Sequence, residues 1–316
     1  MEEKEKNITE FIDAIVELPS WVKHYQLNHH SPTQINSADD IWSYKYLYLS
    51  QEERRKLPIN SKMWGGVSLG LASQFYNGDF EWKYIKGKGL QKVEIPAQRK
   101  IIEKVLEEFN SYQPTDDNDR MQHDTNRLYL PQMCKLLKEA LQEIGLKKPV
   151  ECERTVSMNL KGCQLPTIGR IDLEDEKNFV ELKTKYRKKN RPKKDGTSNY
   201  SLPNIKEGYL GWKDHLLQVA YYYFANNKKK KPHLLVLNDK EYKIYTPENC
   251  EDLQPNNLKM YLNKMEMVCQ RRERMMEKHA GKNTFFKDIE ADFDHFFWKG
   301  LGEHKEEAMK LWGLKK

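Results

Sequence analysis

Long apolar runs are missing from this 316-residue chain, in which hydrophobic residues make up 38% and charged residues 32%. No stretch approaches the ~20 apolar residues that a membrane span requires, so a bilayer partner is not expected. Nor is a secretory leader expected: the opening residues MEEKEKNITEF are acidic where a leader is basic and then apolar. The expectation is an intracellular, non-secreted protein. Cysteine is scarce, with Cys134, Cys152, Cys163, Cys250 and Cys269 odd in number and widely spaced. The absence of any C-x-x-C pair argues against a zinc cluster or a redox dithiol, and reduced thiols are the expected state. Charge of one sign is not dominant either, because 54 Lys and Arg face 47 Asp and Glu, a net of +7. That balance favours polyanionic partners without requiring one.

What is present is periodicity. Ile8, Phe11, Ile12, Ile15 and Val16 recur at helical spacing, and further helices are expected at 38–49, 64–75, 97–110 and 124–145. The segment 64–75 (WGGVSLGLASQF) is rich in small residues that let another backbone approach. After Pro149 the period changes to two, so strands are expected at 150–160, 167–173 and 178–184, the last two joined by the turn Glu174-Asp175-Glu176-Lys177. The basic stretch 185–213 shows neither period and reads as a long mobile loop. An aromatic helix at 215–224, a hairpin at 233–246 and a long amphipathic helix at 256–279 come next, before a tail with Phe285, Phe286, Phe293, Phe296, Phe297 and Trp298. No repeat or linker divides the chain. The expected organisation is a helical N-terminal region over 1–148, a mixed α/β core over 149–250 and a helical C-terminal region over 251–316.

The chemistry concentrates in Gly169-Arg170-Ile171-Asp172 and Val180-Glu181-Leu182-Lys183-Thr184. Alternate residues of a strand share a face, so Glu181 and Lys183 point one way while Val180 and Leu182 point the other. A hairpin partner brings Asp172 beside them. Two carboxylates on neighbouring strands form a hard oxygen site suited to Mg²⁺ or Mn²⁺, and an adjacent ammonium can orient or deprotonate a water. The competing reading is a surface ion pair, since Glu-x-Lys also occurs at Glu81/Lys83, Glu241/Lys243 and Glu303/Lys305. The apolar strand setting and the preceding Asp separate Glu181 from those three. Downstream, Gln218 and Tyr222 share a helix face. They read either as amphipathic packing or as an amide and a phenol that can bind phosphate or base.

Together these motifs resemble the PD-(D/E)XK nuclease superfamily, and within it the RecB-like exonuclease branch of phage and bacterial recombination nucleases and mitochondrial genome maintenance exonucleases. The likeness covers about a quarter of the chain, from Glu151 to Tyr222, and the hairpin 233–246 fits the next strands of that family. It implies an α/β, restriction-endonuclease-like mixed sheet flanked by helices. It further implies that Asp172 and Glu181 bind Mg²⁺ or Mn²⁺, that Lys183 assists the nucleophilic water, and that Gln218 and Tyr222 position the site and DNA. DNA, as single strands or ends, is the expected partner, met in a bacterial or phage-infected cytoplasm or a nucleic-acid-containing organelle. Phosphate contacts are expected from Arg170, Lys185, Arg187, Lys188, Lys189 and Arg191, with Tyr186 and Trp212 as stacking partners; a solvated loop is the alternative. Glu151, Glu153 and His215 are further candidates near the site. Many relatives carry a metal-binding His in Gly-x-x-His, where Gly65-Gly66-Val67-Ser68 offers Ser68 instead. The closely spaced cysteines of iron–sulfur relatives have no match, so no cluster is expected. A non-catalytic nucleic-acid-binding protein on the same fold and a restriction-type endonuclease are the competing functions.

Overall fold

The computed structural model describes residues 18–25, 27–57, 61–74, 80–85, 89–94, 97–114, 116–147, 150–190, 199–205, 213–282, 284–299 and 301–314. The helix expected at Ile8–Val16 lies outside them, as do Arg191 and Trp212.

At the centre is a five-stranded mixed sheet in sequential order: β1 (Glu151–Met158), β2 (Thr167–Glu174), β3 (Asn178–Thr184), β4 (Lys231–Leu237) and β5 (Tyr242–Tyr245). Neighbours are antiparallel except β3 and β4, which run parallel with Glu181 opposite Leu234 and Lys183 opposite Val236. A parallel pair cannot be joined by a tight turn. The connection here carries the helix α4 (Lys213–Ala225), which lies against the sheet.

Each face of the sheet is covered. On one side α1 (Ser61–Gln74), α2 (Ala97–Ser111) and α3 (Asp117–Ile144) bury Leu69, Phe109, Met133 and Leu137 against Val180, Leu235 and Leu237. On the other, α4 and α5 (Pro255–Lys278) bury Tyr221, Leu258 and Met265 against Ile171, Phe179 and Leu234. This explains why β4 reads as a continuous apolar run, as a strand buried on both faces does.

The structure departs from the sequence pattern in three places. Helix α3 begins at Asp117 instead of 124, because Asp116 caps it by accepting the Asp119 amide at 2.8 Å; the first turns are polar and so carry no apolar period. A hairpin, Phe80–Ile85 with Gly89–Glu94, stands between the expected helices. Within the basic stretch 185–213, Lys188–Lys189 pairs with Tyr200–Ser201 in a two-residue ladder too short to produce a period.

The segment 39–57 packs with the aromatic tail. Tyr44, Leu49 and Leu57 form one cluster with Trp298, Leu301 and Ala308.

Candidate active site

The hairpin of β2 and β3 is paired only at its base, Leu173 with Val180 and Glu174 with Phe179. Beyond those pairs the ladder stops, and the carboxylate of Asp172 takes over by accepting the Leu182 amide at 2.6 Å. Strand alternation also slips here. Ile171 belongs to the α4 side and Leu173 to the α3 side, although two residues apart they should share a face. On β1 the same change of side occurs between Cys152 and Val156, with Glu153 between them at φ 54°. In register, Glu153 stands across from Asp172, flanked by the pairs Cys152–Leu173 and Arg154–Ile171. The paired kink turns Asp172 toward β3, and Glu153 adopts a left-handed backbone that a non-glycine residue holds only when its surroundings impose it.

On β3, Glu181 and Lys183 share the α4 side, as alternation requires. Lys183 Nζ donates to Glu181 Oε1 at 2.5 Å and to Gln218 Oε1 at 2.7 Å. Tyr222, one turn further along α4, is hydrogen-bonded to the main chain of Arg170 on β2. Gln218 therefore steadies the strand with the lysine, and Tyr222 the strand with the aspartate. The close fit depends on Gly169, where a Cβ would lie 2.7 Å from Tyr222 Cε1 and 3.0 Å from Tyr221 Cε1. The Tyr221 hydroxyl in turn donates to the Val156 and Thr167 carbonyls. Simple amphipathic packing accounts for Tyr221; it does not account for the polar ends of Gln218 and Tyr222.

Electrostatically the site is under tension. Burial, then the charge of Glu181, raises the Asp172 pKa well above the usual carboxylate range, with Lys183 and the Leu182 amide only partly offsetting them. Glu181 is raised by burial as well, against the pull of Lys183. Burial depresses Lys183, but Glu181 and Asp172 outweigh it and leave its pKa raised. One oxygen, Glu181 Oε2, is buried with no hydrogen-bond partner. An orphaned carboxylate oxygen beside a second, half-buried carboxylate is the arrangement a divalent cation relieves. Among the described residues no three His, Cys, Asp or Glu side chains converge to hold a metal by themselves. Two carboxylates nevertheless suit Mg²⁺, which keeps several waters and takes few protein ligands.

The remaining candidates fall into distinct groups. Glu153 adds its charge to both Asp172 and Glu181 and is paired with Arg170 at 3.3 Å. His215 lies near enough to Lys183 and Lys185 that burial, then their charges, push it down to about 3, so its imidazole is neutral. Glu151 is exposed and lies 3.7 Å from Arg154. Ser68 is buried and donates to the Trp64 carbonyl at 2.9 Å, one turn back on its own helix. Helix α1 reaches the end of β3 through its glycines instead: a Cβ on Gly66 would meet Thr184 Oγ1 at 3.4 Å, and Gly65 abuts the Tyr186 ring. Tyr186 is thus 5% exposed and packed, not displayed for stacking. Arg187 is paired with Asp239 at 2.7 Å and lies over the Tyr129 ring. Lys185 donates to the Asn204 carbonyl, Lys189 to Asn118, and Lys188 is exposed. Sequence reasoning missed the face change at Asp172 and the tether from Gln218 to Lys183. Gly169 before Arg170 was the one local sign of close packing.

A scan of protein-family models and a search of curated proteins both returned no match. Among solved structures the chain is similar to a Eubacterium rectale protein whose name assigns it provisionally to the exonucleases, at 11% identity over 79% of this chain and 82% of that one, with a TM-score of 0.48. It is also similar to a protein named SSO0001, at 17% identity over 63% of this chain and 94% of that one, with a TM-score of 0.26. Likeness at this level does not assign an activity.

Proposed function

We propose that this chain is a Mg²⁺- or Mn²⁺-dependent nuclease that hydrolyses phosphodiester bonds in DNA, acting on single strands or ends during replication, recombination or repair. The observation that carries this reading is the unpartnered, buried Glu181 Oε2 beside Asp172, with Lys183 fixed next to both. When bound there, the cation would supply Lewis acidity and positive charge for the phosphate. Asp172 and Glu181 would hold it. Those two carboxylates raise the Lys183 pKa against the pull of burial. Any sharing of their charge lowers its proton affinity and readies it to take a proton from an attacking water. Gln218 fixes the direction of the Lys183 ammonium, and Tyr222 holds β2 so that Asp172 stays in place. Arg170, on the same strand, is exposed beside its partner Glu153, where it can meet a phosphate. The preference for single strands or ends rests on the family resemblance of the motifs.

The test is cleavage of end-labelled single- and double-stranded DNA in Mg²⁺, Mn²⁺, Ca²⁺ or EDTA. Cleavage in Mg²⁺ and Mn²⁺ is expected, with Ca²⁺ supporting binding alone because its longer, looser coordination does not align the reacting water. Glu181→Gln and Lys183→Ala should each lower the rate by about 10²-fold or more. Full activity in EDTA, or a requirement for Zn²⁺, would rule the site out.

A further inference from the structure

The turn between β1 and β2 is fastened to two turns of α5. Gln270 Nε2 donates to the Lys161 carbonyl at 2.6 Å, and the Gln164 and Leu165 amides donate to the Glu273 carboxylate at 2.7 and 2.9 Å. Cys163 Sγ, in the same turn, lies 3.9 Å from the Glu266 carbonyl. These contacts bracket Cys269, and the Cys163 side chain packs on the core cluster that contains it. Neither cysteine is in a disulfide. Cys269 is wholly buried in the core between α4 and α5, whereas Cys163 is half-buried and packs on that core from outside. One thiol is open to a reagent and the other waits behind it. The nuclease site uses neither, and Cys134 and Cys152 belong to the opposite side of the sheet.

We propose that Cys163 and Cys269 form an oxidation site that closes to an intramolecular disulfide when the chain meets a low-molecular-weight disulfide such as oxidised glutathione. The Cys163 thiolate attacks one glutathione sulfur, forming a mixed disulfide and releasing one glutathione thiolate, which takes up a proton. Cys269 then gives up its proton to solvent and attacks the Cys163 sulfur, releasing the second glutathione. Two protein thiols are oxidised and one small disulfide is reduced to two thiols, a two-electron exchange that balances. The neighbouring Cys163 thiol, then burial, raise the Cys269 pKa, so the second step is the slower one and quickens with pH. The product ties the turn entering β2, the strand that carries Asp172, to helix α5. This thiol chemistry does not depend on the nuclease reading.

The experiment incubates the full chain with oxidised or reduced glutathione, alkylates the remaining thiols and maps peptides without reduction. The expected result is one linked peptide joining Cys163 to Cys269 and alkylation of only the other three cysteines. A rise in Tm of roughly 5 °C that dithiothreitol reverses should accompany it, since a long closed loop restricts the unfolded chain. Cys163→Ser should abolish both changes, and Cys269→Ser should stop the reaction at glutathione on Cys163. Five alkylated cysteines, a stable mixed disulfide in the wild type, or a link from Cys163 to any other cysteine would overturn the proposal.

Discussion

Asp172 is the residue at which the chain sacrifices stability. Its folded-state pKa is raised by burial and by Glu181, so the unfolded chain holds the negative charge more comfortably than the folded one at neutral pH. Below the unfolded carboxylate pKa of about 4 both states are protonated and the penalty vanishes; it grows as pH climbs through the higher folded value. Asp172→Asn keeps an oxygen for the Leu182 amide and removes the charge. The variant should therefore melt roughly 3 °C higher than wild type at pH 7.5 without metal, and that gain should shrink toward zero near pH 4. Cleavage should be lost in the same variant. Thermal melts across pH in EDTA check the first expectation, and an unchanged or lower Tm at pH 7.5 would show that Asp172 is not electrostatically strained.

Strand β2 and helix α4 act as a unit. The helix holds Lys183 through Gln218 and the backbone of Arg170 through Tyr222, while Gly169 leaves room for both tyrosine rings. Adding a methyl group at Gly169 forces Tyr222 or the strand to move, an overpacking that costs about 1–3 kcal/mol in a dense core. Gly169→Ala should therefore lower stability in urea titrations by that amount and reduce cleavage out of proportion to it, because Asp172 sits three residues on. A fully stable and fully active Gly169→Ala protein would mean the packing here is looser than the structure shows. The glycine was visible in the sequence. Its purpose was not, since which ring would face it depends on how α4 crosses the sheet.

Across the whole molecule, a mixed sheet covered on both faces has its site where β2 and β3 part, with the short ladder of Lys188–Lys189 and Tyr200–Ser201 coming after β3. Lys188 is exposed and Lys189 donates to the neutral side chains of Asn118 and Met121, which leaves both able to meet phosphates, unlike Arg187, which Asp239 holds. Replacing both lysines with Gln should reduce the slope of log affinity against log salt for single-stranded DNA by about 1.4, at ~0.7 per contact. Fluorescence anisotropy in Ca²⁺ over a range of NaCl measures it. An unchanged slope would make this ladder a bystander to DNA binding.

What the sequence determined by itself was periodic or local: the helical and strand segments, the continuous apolar run of β4, and the shared face of Glu181 and Lys183, all consequences of 3.6- and 2-residue repeats. Helix boundaries such as Asp117, and the ladder at 188–201, escaped because capping and a two-residue pairing leave no period to read. Only the tertiary structure decided that β2 changes face at Asp172, that Gln218 and Tyr222 each hold a different strand, and that Cys163 meets Cys269. These depend on the twist of paired strands and on the angle at which helices cross them, long-range geometry that no window of neighbouring residues contains.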